Sequence, residues 1–197
     1  MHITVMGAGI LGLTAAWQMA RRGATVRLFE AERVGAGSSG GLVGALAPHV
    51  PEQWNAKKAF QLDSLLMAEG FWREVSATGG VDPGYARLGR VQPLADEAAV
   101  ALARQRGETA RDLWQGRAEW QVTGAVPGLR LASATGLFVR DTLTARLSPR
   151  RAAQALVAAL AKLGVPIETG NKAPEGRVLW ATGVQGLADL GIGGGVK

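Results

Sequence analysis

The residues whose types and spacing can do chemistry crowd into the first fifty positions of the chain. Gly7-Ala8-Gly9-Ile10-Leu11-Gly12 is a G-x-G-x-x-G run that follows a short apolar segment, residues 3–6. Each glycine has a physical task there. Gly7 permits a tight turn, Gly9 lets the backbone approach a pyrophosphate, and Gly12 with Ala16 lets a helix lie close to a sheet. The helix that opens through Ile10 and Leu11 offers unpaired N–H groups and a positive dipole end to phosphates. Glu30, with Ala31 behind it, closes the next apolar segment and is placed to accept hydrogen bonds from ribose hydroxyls, while its charge disfavours a 2′-phosphate. Gly7, Gly9, Ile10, Leu11, Gly12, Glu30 and Ala31 are therefore expected to bind a dinucleotide. On these residues alone NAD and FAD are equally admissible.

Composition narrows the chemistry further. The 197 residues include no cysteine and two histidines, which removes disulfides and thiolate metal sites and leaves little scope for any other metal site. No metal is expected, so a redox reaction would need an organic cofactor. The formal net charge is +6, but the basic pairs Arg21–Arg22, Lys57–Lys58 and Arg150–Arg151 are dispersed and not interleaved with aromatic residues. They read as solvated helix faces, favouring an anionic small ligand over nucleic acid. With no leader-like segment and no apolar run near the ~20 residues a membrane span requires, a cytoplasmic protein is expected.

The elements that must hold these residues follow from periodicity. Residues 3–6 form a strand, 9–22 a helix closed by Gly23, and 25–29 an alternating strand, together a βαβ unit. Residues 31–50 form a Gly- and Ser-rich stretch suited to wrapping a ligand. Apolar residues from Phe60 to Trp72 recur at helical spacing across 56–77, and Gly79–Gly80 stops that helix. A strand at 89–94, a second helix at 95–115 weakened by Gly107, and short strands over 120–144 make up a separate layer. Ser148 and Pro149 then open a helix as N-cap and first helical residue, Gly164 ends it, and strands at 165–169 and 177–180 return to the nucleotide sheet.

The segment Gly35-Ala-Gly-Ser-Ser-Gly-Gly-Leu-Val-Gly-Ala-Leu-Ala-Pro-His49 resembles the D-amino-acid oxidase superfamily of flavoenzymes, in particular its glycine oxidase and sarcosine oxidase branch. The resemblance continues at Gly89-Arg90-Val91-Gln92, Ser148-Pro149-Arg150 and Trp180-Ala-Thr-Gly183. It implies FAD as the cofactor. It further implies that Ser38 and Ser39 donate to the pyrophosphate, that Gly44, Ala45 and Leu46 pass close to the flavin, and that Ala181, Thr182 and Gly183 meet the cofactor again. His49 falls near the reactive end of the flavin, where it either orients substrate or is simply a loop histidine bonded to backbone. The reaction implied is transfer of a hydride from an amine-bearing carbon to flavin N5, giving an imine that hydrolyses.

The fold expected is α/β: a Rossmann-like FAD-binding domain, a parallel sheet with helices, over residues 1–50 and 147–197, interrupted by part of an α+β substrate domain over 51–146. Family members are longer. By resemblance, the half not seen here holds the rest of the substrate sheet, an arginine for the substrate carboxylate and a glycine-bearing segment facing the flavin pyrimidine. A missing C-terminal half or partner subunit is thus expected, and the glycine-rich residues 191–197 read as turn. Three functions stay open: an FAD-dependent oxidoreductase acting on a small-molecule amine or amino acid, a non-catalytic FAD-binding fragment or subunit of a split flavoenzyme, and a tRNA-modifying flavoenzyme.

Overall fold

The computed structural model describes residues 1–126, 128, 130–170, 172–189 and 191. The reading of 192–197 as turn lies outside them. The chain opens with β1 (His2–Met6), α1 (Ile10–Arg21) and β2 (Thr25–Glu30). A 3-10 turn (Ser38–Gly40) and β3 (Gly44–Leu46) lead to the long α2 (Ala56–Gly79). Then come β4 (Arg90–Pro93), α3 (Glu97–Trp114), β5 (Trp120–Thr123), β6 (Phe138–Asp141) and β7 (Ala145–Leu147). The order finishes with α4 (Pro149–Lys162), β8 (Ile167–Thr169), β9 (Arg177–Trp180) and α5 (Gly183–Asp189).

These elements gather into two compact units, the first made of Met1–Gly44, Trp72–Gly84 and Leu147–Lys197, the second of Ala45–Phe71 and Tyr85–Arg146. In the first, a parallel sheet runs in the order β8-β2-β1-β9. Residues 2–6 of β1 pair with residues 25–29 of β2 on one side, and residues 3–6 pair with residues 177–180 of β9 on the other. The fold is therefore α/β with the two returning strands placed as expected. Buried Leu13, Ala16 and Trp17 form the apolar stripe of α1, and Leu156 and Leu160 form that of α4. Both helices end alike: Gly23 N–H donates to the Ala20 carbonyl and Ala24 N–H to Met19, while Gly164 and Val165 repeat the pattern on Ala161 and Leu160.

Two local expectations need correction. Ser148 occupies the N-cap of α4, but its side chain makes no capping bond, so that helix start rests on Pro149. The sequence reading also assigns residues 72–84 to the inserted layer, whereas they pack within the first unit: Trp72 and Val75 are buried there and Glu74 pairs with Arg21. The apolar period of α2 continues smoothly through this point, so nothing local marks the change of partner.

The second unit is built on an antiparallel sheet in the order β4-β6-β5. Asp96 caps α3 by accepting from Ala99 N–H at 2.8 Å, and the helix runs unbroken through Gly107, where the Trp120 carbonyl lies 3.2 Å from the Cβ position and leaves little room for a side chain. Trp114 and Trp120 meet edge to face with centroids 6.3 Å apart, within a core that includes Leu62, Leu65, Val100 and Val139. Asp141 is fully buried at the end of β6. It accepts from Leu143 N–H, Thr144 N–H and the Thr144 hydroxyl at 3.1, 2.7 and 2.9 Å, and from Arg90 Nε at 3.1 Å. Among the described residues no helix is long and apolar enough to cross a membrane.

Candidate functional site

The carboxyl ends of β2, β1 and β9 lie side by side, the position at which a parallel sheet of this type forms its ligand crevice. Gly7 closes β1 with φ +104°, and its N–H donates to the Phe29 carbonyl at 2.7 Å. Ala181 N–H donates to the Met6 carbonyl at 2.8 Å, which brings the turn after β9 against the glycine run. A side chain at Gly7 would start 2.4 Å from the Ala181 carbonyl, and one at Gly12 only 1.8 Å from the Gly7 carbonyl. Gly9 is close to Ser39 as well, whose Oγ lies 3.2 Å from the Cβ position, so a side chain there would press on that hydroxyl.

Glu30 and the serines are tied to this turn more closely than spacing alone shows. The Glu30 carboxylate accepts from Ala8 N–H at 2.7 Å through Oε2 and from Glu32 N–H at 3.1 Å through Oε1. A carboxylate has about four acceptor sites, so capacity for ribose hydroxyls is left. Ser39 Oγ accepts from Ile10 N–H at 2.9 Å, while Ser38 is exposed and has no hydrogen-bond partner among the described residues. The expectation of freely offered amides at the start of α1 is thus modified, since the first is already engaged by Ser39. In accepting, that serine keeps its own proton to donate. Leu11 is exposed and Ala31 lies on the surface beyond Glu30.

Thr182 follows Ala181 in the turn that leads to Gly183, the first residue of α5. Its Oγ1 is buried and has no partner among the described residues. That hydroxyl is turned toward α5, 2.0 Å from where a side chain at Gly186 would begin, while the Thr182 backbone nitrogen lies 3.1 Å from the Cβ position of Gly7. Gly44, also in this unit, sits against Leu147 and Pro149.

Ala45, Leu46 and His49 belong to the second unit. His49 is exposed, and its backbone N–H donates to Gln61 Oε1 at 2.7 Å while its imidazole has no described hydrogen-bond partner. The segment behind it is anchored by Glu52, which accepts two bonds of 2.8 Å from Arg106 Nε and Nη2, and by Lys58, which donates to the Val50 and Glu52 carbonyls. Hydrogen bonding from Arg106 lowers the Glu52 pKa from its ordinary value of 4.5, against a smaller opposing effect of burial. A lowered folded pKa stabilises above the unfolded value and loses that contribution as pH falls through the folded one. Wild type should therefore exceed Arg106→Gln in stability at neutral pH, and the gap should close below pH 4.5 in urea unfolding followed against pH. A separate groove of about 600 Å³ between α3 and β5, lined by Arg104, Glu108, Arg111 and Glu119 among others, contains none of the candidate site residues read from the sequence.

This arrangement defines the first unit as a dinucleotide-binding α/β fold. The family model described as FAD dependent oxidoreductase matches residues 2–191, and the chain belongs to that family. A Rhizobium etli protein named as the thiamine biosynthesis oxidoreductase ThiO is 36% identical over 166 residues, covering 81% of this chain and 46% of that protein. The bifunctional protein MnmC of tRNA 5-methylaminomethyl-2-thiouridine biosynthesis from Hydrogenovibrio crunogenus is 31% identical over 104 residues, 51% of this chain and 15% of that protein. Among solved structures, glycine oxidase from Geobacillus kaustophilus superposes with a TM-score of 0.76 over 97% of this chain and 58% of that one, at 18% identity, a likeness of fold. The chain thus spans about half the length of the Rhizobium relative. FAD is the family's cofactor, and the Glu30 carboxylate and the Ser39 hydroxyl, both drawn to the glycine turn, fit its ribose and phosphate groups.

Proposed function

We propose that this chain holds the adenosine and pyrophosphate part of FAD and belongs to an oxidoreductase that oxidises a small-molecule amine or amino acid. The observation that carries the reading is the turn at the carboxyl ends of β1, β2 and β9, where Gly7 and Gly12 pack the backbone tightly and Glu30 and Ser39 bring a carboxylate and a hydroxyl to the start of α1. Bound FAD supplies the hydride acceptor. The chain's own residues bind and orient: Glu30 takes the ribose hydroxyls, the Ser39 hydroxyl at the start of α1 faces the pyrophosphate with the Ala181–Gly183 turn beside it, and Gly44, Ala45 and Leu46 run beneath the ring. His49, whose imidazole has no hydrogen-bond partner among the described residues, orients the substrate. The amine class is supported by the glycine oxidase likeness of the loop at 35–49 and by the fold neighbour of that name.

Titrating purified protein with FAD tests the first part. Tight uptake with a shifted flavin absorption supports it, and a colourless protein that takes up none overturns it. Replacing Glu30 by alanine should weaken FAD binding by about 1–3 kcal/mol, through loss of charged hydrogen bonds to ribose and to Ala8 N–H, read in the same titration. Anaerobic addition of small primary and secondary amino acids then tests the substrate class by bleaching of the flavin bands. Bleaching by tRNA carrying a methylaminomethyl group instead would favour the second reading, which the likeness to the Hydrogenovibrio protein supports.

A further inference from the structure

Ser39 can engage the start of α1 only if the 3-10 turn of residues 38–40 keeps its place. Within that turn Gly40 N–H donates to the Gly37 carbonyl at 3.1 Å, and at its base Gly35 N–H donates to the Ala8 carbonyl at 3.1 Å. A turn this short has no ladder of its own to resist displacement. Among the described residues, one side chain from elsewhere in the chain donates to it: Arg150, in the first turn of α4, whose Nε donates to the Gly40 carbonyl at 3.0 Å. Pro149 beside it packs within 4.0 Å of the Cβ position of Gly41 and 3.4 Å of that of Gly44. The fixed start of α4 thus bears on the turn with a proline ring and a charged donor together.

We propose that Arg150 is a positioning residue for the pyrophosphate site, holding residues 38–40 so that Ser39 Oγ stays on Ile10 N–H with its own proton aimed outward. The inference rests on the FAD reading above. Releasing the Gly40 carbonyl lets the turn drift, which orphans the first amide of α1 and removes the hydroxyl donor in one movement. The effect therefore falls on the phosphates, because the adenosine end is held separately by Glu30. Arg150 is exposed, so its replacement leaves the core intact.

The full chain carrying Arg150→Gln, Arg150→Lys, Ser39→Ala or the Gln/Ala pair is titrated with FAD, ADP and adenosine. Arg150→Gln should weaken FAD and ADP about tenfold, the loss of one charged hydrogen bond, and leave adenosine unchanged. Arg150→Lys, which can still donate to Gly40, should recover most of this. The double variant should bind FAD no more weakly than Ser39→Ala alone, since both changes remove one donor. Equal binding by Arg150→Gln and wild type, an equal loss for adenosine, or additive losses in the double variant would each overturn the proposal. Hydrogen exchange without ligand separates it from the FAD reading. Ile10 N–H should exchange faster in Arg150→Gln than in wild type, and an unchanged rate defeats the positioning role even if FAD binds. If wild type takes up no FAD while Ile10 responds to Arg150, the cofactor reading falls and the clasp on the turn stands.

Discussion

Replacing Asp141 by alanine should remove about 3–5 kcal/mol of stability, the usual cost of deleting one partner of a buried ion pair. Asp141 has no solvent exposure and receives four donors, two of them backbone amides in the chain reversal after β6. Alanine would leave Leu143 N–H, Thr144 N–H and the Thr144 hydroxyl buried without an acceptor, and Arg90 Nε without its carboxylate. Each stranded donor costs about 1–3 kcal/mol when water cannot replace the partner, so the total depends on how far the reversal opens. Asparagine keeps an acceptor for the two amides but turns an NH₂ group toward Arg90 and Thr144, and an intermediate loss is expected. Urea unfolding of the three proteins checks this, and a loss below about 1 kcal/mol for alanine would show that the network contributes little net stability.

Replacing Gly12 by alanine should abolish measurable FAD uptake and cost about 3 kcal/mol of stability, at the upper end of what overpacking causes. The added methyl would sit 1.8 Å from the Gly7 carbonyl oxygen, so either α1 or the turn after β1 must move by more than an ångström. Neither has room. Gly7 is itself wedged against Ala181, and α1 is buried along its Leu13, Ala16 and Trp17 stripe. The displacement therefore passes to the backbone that faces the phosphates, and an affinity loss of about a hundredfold or more is expected at that cost. Gly23→Ala is the control: its φ of +81° strains alanine, but nothing lies within 4 Å, so a cost of about 1 kcal/mol with FAD uptake retained is expected. Uptake by Gly12→Ala equal to wild type would refute the packing argument.

Much of the glycine turn and the helix start after it was legible from residue types because their logic is local. The G-x-G-x-x-G spacing specifies a turn and a helix start within one βαβ unit, and the same glycines occupy the tight approaches in the fold. The helix ends at Gly23 and Gly164 are equally local, since a Schellman closure involves only neighbouring residues. The second helix, expected over 95–115, spans Glu97–Trp114 with Asp96 as its cap, and the difference of one to two residues at each end lies in the capping turns.

What tertiary structure alone decided is the pairing of groups far apart in the chain. Fingerprint spacing puts Glu30 near the glycine run but not its carboxylate on Ala8 N–H, and Ser39 reaching Ile10 and Arg150 reaching Gly40 follow from packing alone. Residues 72–84 join the first unit although the α2 periodicity gives no sign of it, because a helix stripe specifies that a face is buried and not which partner buries it. Gly107, a weak point by helix propensity, is where β5 comes close to α3. Asp141, an ordinary acidic residue by composition, becomes the buried hub of its unit because the strand order sets Arg90 opposite it across β4 and β6. The amino-acid sequence determined the glycine turn and the start of α1, since both are short-range; folding determined how that turn is braced, since the braces are hydrogen bonds between segments that only packing brings together.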